Sequence, residues 1–294
     1  MTFMPQGIIP AMVTPFDKEG KVSRVKLREL VNFLLKGGVH GIFAIGSQGE
    51  FYALDKEEKK KIIETVVDEV NGKVPVYAGT GAITTKEAIT LTQIAEKAGA
   101  DAVSVITPFF ISPSQEELYE YYLSIAKSTN LPVLLYNNPG RTGVNLSAEL
   151  VERLSKIDNI VGIKDSSGNL TLTTEYIRTT PDNFSVLCGR DTLIFATLLS
   201  GGKGSIAATA NVVPKLVVEI YEAFVNGDIE KARKAQFKLA PLRLAFNLGS
   251  FPIVVKEALN LIGINVGSAR APIKSLSEDK KETLKSVLKE LGLL

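Results

Sequence analysis

Eight short apolar runs punctuate the chain, starting near Gly7, Gly41, Val74, Ala102, Pro132, Ile160, Phe184 and Ser205. Amphipathic segments fill nearly every gap between them and end on small residues. Leu34-Leu35-Lys36-Gly37-Gly38 leads into Gly41-Ile42-Phe43-Ala44-Ile45, and Ala95-Glu96-Lys97-Ala98-Gly99 leads into Ala102-Val103-Ser104-Val105-Ile106. Leu198-Leu199-Ser200-Gly201-Gly202 leads into Ser205-Ile206-Ala207-Ala208. Glycine placed there reads as a helix C-cap, because it enters the left-handed region without a Cβ clash. The runs are continuously apolar rather than alternating, so the strands belong to a parallel sheet covered on both faces. Eight strand–helix units is the number that closes a (β/α)8 TIM barrel. An open doubly wound sheet would call for a glycine-rich phosphate loop after the first strand, where Thr14-Pro15-Phe16 stands instead. Pro10 falls inside the first run and removes a ladder donor, which limits how far that strand extends.

Three further helical segments follow the eighth unit, Ile229 to Asn247, Pro252 to Ile262 and Glu278 to Leu291. No Pro-, Gly- or Ser-rich linker precedes them. The expected organisation is one α/β domain over 1–294, with the barrel in 1–226 and a C-terminal helical extension in 227–294.

Charge and composition remove several function classes. Lys and Arg number 34 against 32 Asp and Glu, a net +2 spread along helix-like stretches, so nucleic acid is not an expected partner. Cys188 is the only cysteine and His40 the only histidine, too few for a zinc finger or zincin site. Nothing around His40 suggests a Ser-His-Asp triad. No run approaches the ~18 apolar residues of a membrane helix, and the N-terminus carries no signal-peptide pattern. A cytoplasmic protein free of membrane contact is expected.

Barrel chemistry occurs at the C-terminal ends of the strands. There stand Gly46-Ser47-Gln48-Gly49-Glu50, Tyr136-Asn137-Asn138-Pro139, Lys164-Asp165-Ser166 and Gly189-Arg190-Asp191. Lys164 closes the apolar run Ile160-Val161-Gly162-Ile163; an uncharged amine held there can attack a ketone and form an imine. A lysine reaching solvent from a strand end is the competing reading. Tyr136, one strand over, is placed as a proton donor and acceptor, or as a barrel-filling aromatic. The amides of Ser47 and Gln48 can cradle a carboxylate, or merely form a βα turn. Arg141 can grip a second acidic group of the substrate, or stand as a surface arginine. Cys188, inside the seventh run, reads as a small core residue.

Taken together, Gly46-Ser47-Gln48-Gly49-Glu50, Tyr136-Asn137-Asn138-Pro139-Gly140-Arg141-Thr142-Gly143 and Gly162-Ile163-Lys164-Asp165-Ser166 resemble the dihydrodipicolinate synthase and N-acetylneuraminate lyase family over the whole chain. The resemblance implies a lyase in which Lys164 forms a Schiff base with pyruvate and Tyr136 shuttles protons. It further implies that Ser47 hydrogen-bonds that tyrosine, and that the Ser47 and Gln48 amides hold the carboxylate. By the same resemblance Ile206 is expected to line the pyruvate pocket, and Ser166 and Gly189 to complete the binding residues. No metal or organic cofactor is implied. The implied partners are pyruvate, an aldehyde and other copies of the chain in a homotetramer. Ser47-Gln48 replaces the two threonines usual in dihydrodipicolinate synthases. Phe110 stands where those synthases supply a tyrosine across a subunit interface. These features, with Leu187-Cys188-Gly189, put aldol cleavage of a 2-keto-3-deoxy sugar acid slightly ahead of condensation with aspartate semialdehyde. Arg141 weighs the other way, since the synthases use such an arginine on the aldehyde's carboxylate. A pyruvate-binding protein without catalysis is the reading from another class; retention of both Lys164 and Tyr136 argues against it.

Overall fold

The computed structural model describes residues 3–294. Its strands are β1 Gly7–Pro10, β2 Ile42–Ala44, β3 Val76–Gly79, β4 Ala102–Ile106, β5 Val133–Asn137, β6 Ile160–Asp165, β7 Ser185–Cys188 and β8 Gly204–Ala207. All pair in parallel, in the order β1-β8-β7-β6-β5-β4-β3-β2. A bridge between Ala11 and Phe43, with the Met12 N–H donating to Phe43 O at 2.9 Å, brings β1 and β2 together and closes the ring. The fold is the TIM barrel that the apolar runs implied.

Pro10 ends β1 without cost to the ladder. The N–H groups of Ile8 and Met12 point toward β2, to His40 Nδ1 and to Phe43 O. Strand alternation puts position 10 on that same side, where β2 makes no ladder with β1. Inside the ring, Ile9, Ala11, Phe43, Tyr77, Ala102, Leu134, Leu187 and Ile206 form one apolar cluster. It is the packed interior of a small barrel rather than a pore. A larger apolar layer lies between sheet and helices.

The surrounding helices begin α1 Arg24–Lys36, α2 Lys56–Val70, α3 Thr85–Lys97 and α4 Gln115–Ala126. Local chemistry sets their starts: Asp55 with Glu58, and Ser114 with Glu117, form capping boxes that satisfy orphan N–H groups. The β5–β6 gap holds two helices, α5 Pro139–Thr142 and α6 Ala148–Leu154, rather than the one usual elsewhere. Pro139 is preset for a first helical turn, and Gly143, at φ +73°, stops it after one turn. The ring continues through α7 Leu170–Thr179, α8 Ile194–Leu199 and α9 Pro214–Val225. The extension is α10 Ile229–Ala245, α11 Ile253–Leu261 and α12 Glu278–Glu290, with α10 packed on α9. Among the described residues no helix is long and apolar enough to cross a membrane.

Candidate active site

A cavity of about 240 Å³ opens at the C-terminal ends of the strands. Ser47, Gln48, Tyr136, Arg141, Lys164, Ser166, Gly189 and Ile206 all line it, so every site residue expected from sequence is brought to one place. Ile206, shared with the interior cluster, is part of its apolar wall.

Lys164 and Tyr136 are cross-strand partners in the β5–β6 register. Lys164 is 4% exposed, and its Nζ lies 4.1 Å from the centre of the Tyr136 ring and 5.1 Å from that of Phe43. The next residue pins the strand end. Asp165 accepts from Thr173 Oγ1 (2.6 Å), Ser167 Oγ (2.9 Å), Ser167 N–H (3.0 Å) and Asn137 Nδ2 (3.1 Å). The Tyr136 hydroxyl sits 3.4 Å from Ser47 Oγ and receives a hydrogen bond from Asn138 Nδ2 at 3.0 Å. Burial pushes this phenol up, but the Lys164 charge and hydrogen bonds from Ser47, Asn138 and Ser166 outweigh it. Its proton is therefore held less tightly than an ordinary tyrosine's.

The turn after β2 is shaped by close packing. Ile45 takes φ +49° and Glu50 φ +57°, backbone that side chains rarely adopt and that active sites often store. Gly49 lets the turn lie on the chain beneath it: an added Cβ would come within 3.0 Å of Ile45 Cα and 3.1 Å of Met12 O. Thr14 Oγ1 donates to Gly49 O at 2.6 Å. Among the described residues the Ser47 and Gln48 N–H groups have no acceptor, and the buried Gln48 Oε1 has no donor. Unmet polar groups in a cavity wall are groups available to a ligand. At the far side, Gly189 admits the β6 end: a Cβ there would strike Ser166 Oγ at 2.0 Å.

Sequence reasoning missed two features. The first is the extension's part in the site. Arg243, at the end of α10, and Phe246, Phe251, Pro252, Val254 and Val255 form one wall of the cavity. The second is Glu50. It is fully buried and meets the equally buried Lys256 of α11 at 2.6 Å, while also accepting from the Arg270 N–H at 2.9 Å. Burial pulls the Lys256 ammonium down to about 8, with Glu50 pulling it back up. Cys188 is buried, and desolvation lifts its thiol to about 12, as a core residue rather than a nucleophile.

The chain as a whole is similar to several known proteins. A 4-hydroxy-tetrahydrodipicolinate synthase from Methanopyrus kandleri is 44% identical over 100% of this chain and 99% of that protein. The dihydrodipicolinate synthase of Acinetobacter baumannii, solved in complex with pyruvate, is 38% identical with a TM-score of 0.95, over 98% of this chain and 99% of that one. A prophage protein of the dihydrodipicolinic acid synthase family from E. coli K12, also in complex with pyruvate, matches with the same identity, coverage and TM-score. The model of the dihydrodipicolinate synthetase family matches residues 4–291, and the chain belongs to that family.

Proposed function

We propose that Lys164 forms a Schiff base with pyruvate, and that the resulting enamine condenses with aspartate semialdehyde, the reaction of a 4-hydroxy-tetrahydrodipicolinate synthase. The observation carrying the first half is the buried Lys164 amine beside the Tyr136 phenol, next to two unpaired amides. The pyruvate carboxylate docks on the Ser47 and Gln48 N–H groups. The neutral amine attacks C2, and Tyr136 supplies the proton with which water leaves. Tyr136, left as a phenolate, takes a C3 proton while the protonated imine accepts the electrons of that C–H bond, giving the enamine. Its C3 attacks the aldehyde carbon, whose oxygen takes a proton, and water finally releases the product from Lys164. The pathway calls for no cofactor.

Sugar-acid cleavage runs the same carbon–carbon chemistry in reverse, and Phe110 with Ser47-Gln48 put it ahead on sequence. The relatives named as synthases support condensation instead: two local departures weigh less than 44% identity along the whole chain. Assaying pyruvate with aspartate semialdehyde, beside a panel of 2-keto-3-deoxy sugar acids, decides between them. Faster turnover of any sugar acid would reverse the assignment.

In this reading Arg141 holds the aldehyde's carboxylate; it lines the cavity, with its guanidinium 4.8 Å from the Phe251 ring centre. Arg141→Ala should cost about 1.5–3 kcal/mol, one to two decades in kcat/KM, with aspartate semialdehyde. An equal loss with a neutral aldehyde would make its role structural.

The loop after β4 carries Phe110, 94% exposed at φ +74°, beside the exposed Ile111. Apolar patches of this kind mark interfaces. A homotetramer is the expected assembly, with Phe110 in the tighter contact; a monomer by light scattering at micromolar concentration would contradict it.

A further inference from the structure

A second row of side chains stands behind the Lys164–Tyr136 pair. On β5, Leu134 belongs to the barrel interior and Leu135 to the layer under the helices, so strand alternation turns Tyr136 inward and Asn137 outward. On β6, Ile163 belongs to the helix-side layer, which turns Lys164 inward and Asp165 outward. The register pairs Tyr136 with Lys164 and, one step on, Asn137 with Asp165. The inner pair lines the cavity and the outer pair does not. Asn137 Nδ2 joins the outer pair by donating to Asp165 Oδ1 at 3.1 Å. Tyr176 of α7 completes the row: its hydroxyl accepts from Asn137 Nδ2 at 3.2 Å and donates to Leu146 O. Asn137 and Tyr176 are 0% exposed and Asp165 3%.

The same row closes the segment that carries another partner of the phenol. Asn137 Oδ1 accepts from the Leu146 N–H at 3.1 Å, and Asn137 Nδ2 donates to Asn145 Oδ1 at 2.8 Å. One side chain thus ties down both ends of the stretch from 138 to 145, on which Asn138 donates to the Tyr136 hydroxyl at 3.0 Å. The backbone contact between the two strand ends runs out with Ser166 N–H to Asn137 O at 2.8 Å, and beyond it side chains keep the spacing. A buried polar network with its partners met rigidifies what it joins. Here it joins the two strand ends that set the amine against the phenol. We infer that Asn137, Asp165 and Tyr176 are positioning residues for imine formation: they hold Lys164 and Tyr136 in proton-transfer geometry and touch no substrate. This role rests on the Schiff-base half of the proposed function. It also separates two steps by place, since the pyruvate carboxylate docks on the turn after β2, which the row does not reach.

Two near-isosteric variants on α7 probe the row from outside the cavity. Tyr176→Phe removes the hydroxyl that meets Asn137 and Leu146, and Thr173→Val removes the hydroxyl that donates to Asp165 at 2.6 Å. Tyr121→Phe is the control, deleting a buried hydroxyl bonded to Ala82 in the loop after β3. Borohydride quenching at timed intervals, over a range of pyruvate concentrations, yields two quantities. The half-saturating concentration reports docking of the carboxylate, and the maximal rate of adduct formation reports the amine and the phenol. Because misplacing reacting groups by about 1 Å costs about a hundredfold, Tyr176→Phe should lower the maximal rate about ten- to a hundredfold and Thr173→Val about tenfold, with half-saturation held within about twofold. Tyr121→Phe should match the wild type in both. A lowered urea midpoint with an unchanged maximal rate would make the row purely structural and overturn the inference. So would a rise in half-saturation as large as the fall in rate, which is the mark of general loosening. Circular dichroism checks the fold, and if Tyr176→Phe does not fold, Thr173→Val decides. No adduct in the wild type would sink the Schiff-base reading and this role together; a normal wild-type adduct with unchanged rates in both α7 variants sinks this role alone.

Discussion

Lys164→Ala removes both the borohydride-stable pyruvate adduct and the condensation activity, and leaves the barrel folded. Among the described residues lining the cavity, the Lys164 amine is the only group that can bond covalently to a ketone and then become a cationic electron sink. Arg141, Arg190 and Arg243 stay protonated in proteins and cannot act as amine nucleophiles. Without the imine, the C3 proton of pyruvate must leave unassisted. The expected loss is at least about three decades in kcat/KM, about 4 kcal/mol of barrier. The fold survives because Lys164 makes no ion pair among the described residues; its neighbours are the Tyr136 and Phe43 rings. Lys164→Arg separates charge from chemistry. It keeps a cation beside Tyr136 yet cannot form the imine, so it should be as inactive as the alanine variant. Mass spectrometry of the reduced wild-type protein should place one pyruvate adduct per chain on the peptide holding Lys164. Labelling at another lysine, or substantial activity in either variant, would end the mechanism proposed for this site.

The sequence carried the barrel because burial on both faces leaves a simple mark, a continuous apolar run, at each of the eight strands. Lys164 and Tyr136 were legible for a related reason: a polar residue closing such a run has few places to go but the catalytic face. Glycines at 46, 49 and 189 marked turns, although only the structure shows that Gly189 makes room for Ser166. The cavity's outer wall left no such mark. Arg243 sits on a helix whose apolar and charged residues are mixed around its circumference, and Phe251 in a short loop. Neither differs locally from surface chain, because what brings them to the strand ends is the packing of α10 and α11 onto the barrel. That is a long-range contact with no periodicity of its own. Glu50 was read as a motif letter for the same reason, since its partner lies 206 positions away on α11.

That partner is the basis of the largest expected change in stability. Glu50 and Lys256 are both fully buried with 2.6 Å between their charged atoms, and Lys256 also donates to Ser268 O at 2.9 Å. Lys256→Met keeps the apolar stem near the Phe16 ring but leaves the Glu50 carboxylate without its countercharge. Breaking a buried pair from one side costs about 3–5 kcal/mol, because the remaining charge stays desolvated. The urea midpoint should fall accordingly, with the m-value unchanged. Glu50→Gln/Lys256→Met removes both charges together and should recover most of the loss, since a buried pair is worth little net against neutral groups of similar shape. The site should still register the change. Glu50 directly follows the Ser47-Gln48-Gly49 turn, and Val254 and Val255, which precede Lys256, line the cavity. The double variant therefore keeps its stability but loosens the carboxylate cradle, and KM for pyruvate should rise more than kcat falls. A single variant within about 1 kcal/mol of the wild type would show that water reaches Glu50 and that the pair does not tie the turn to α11.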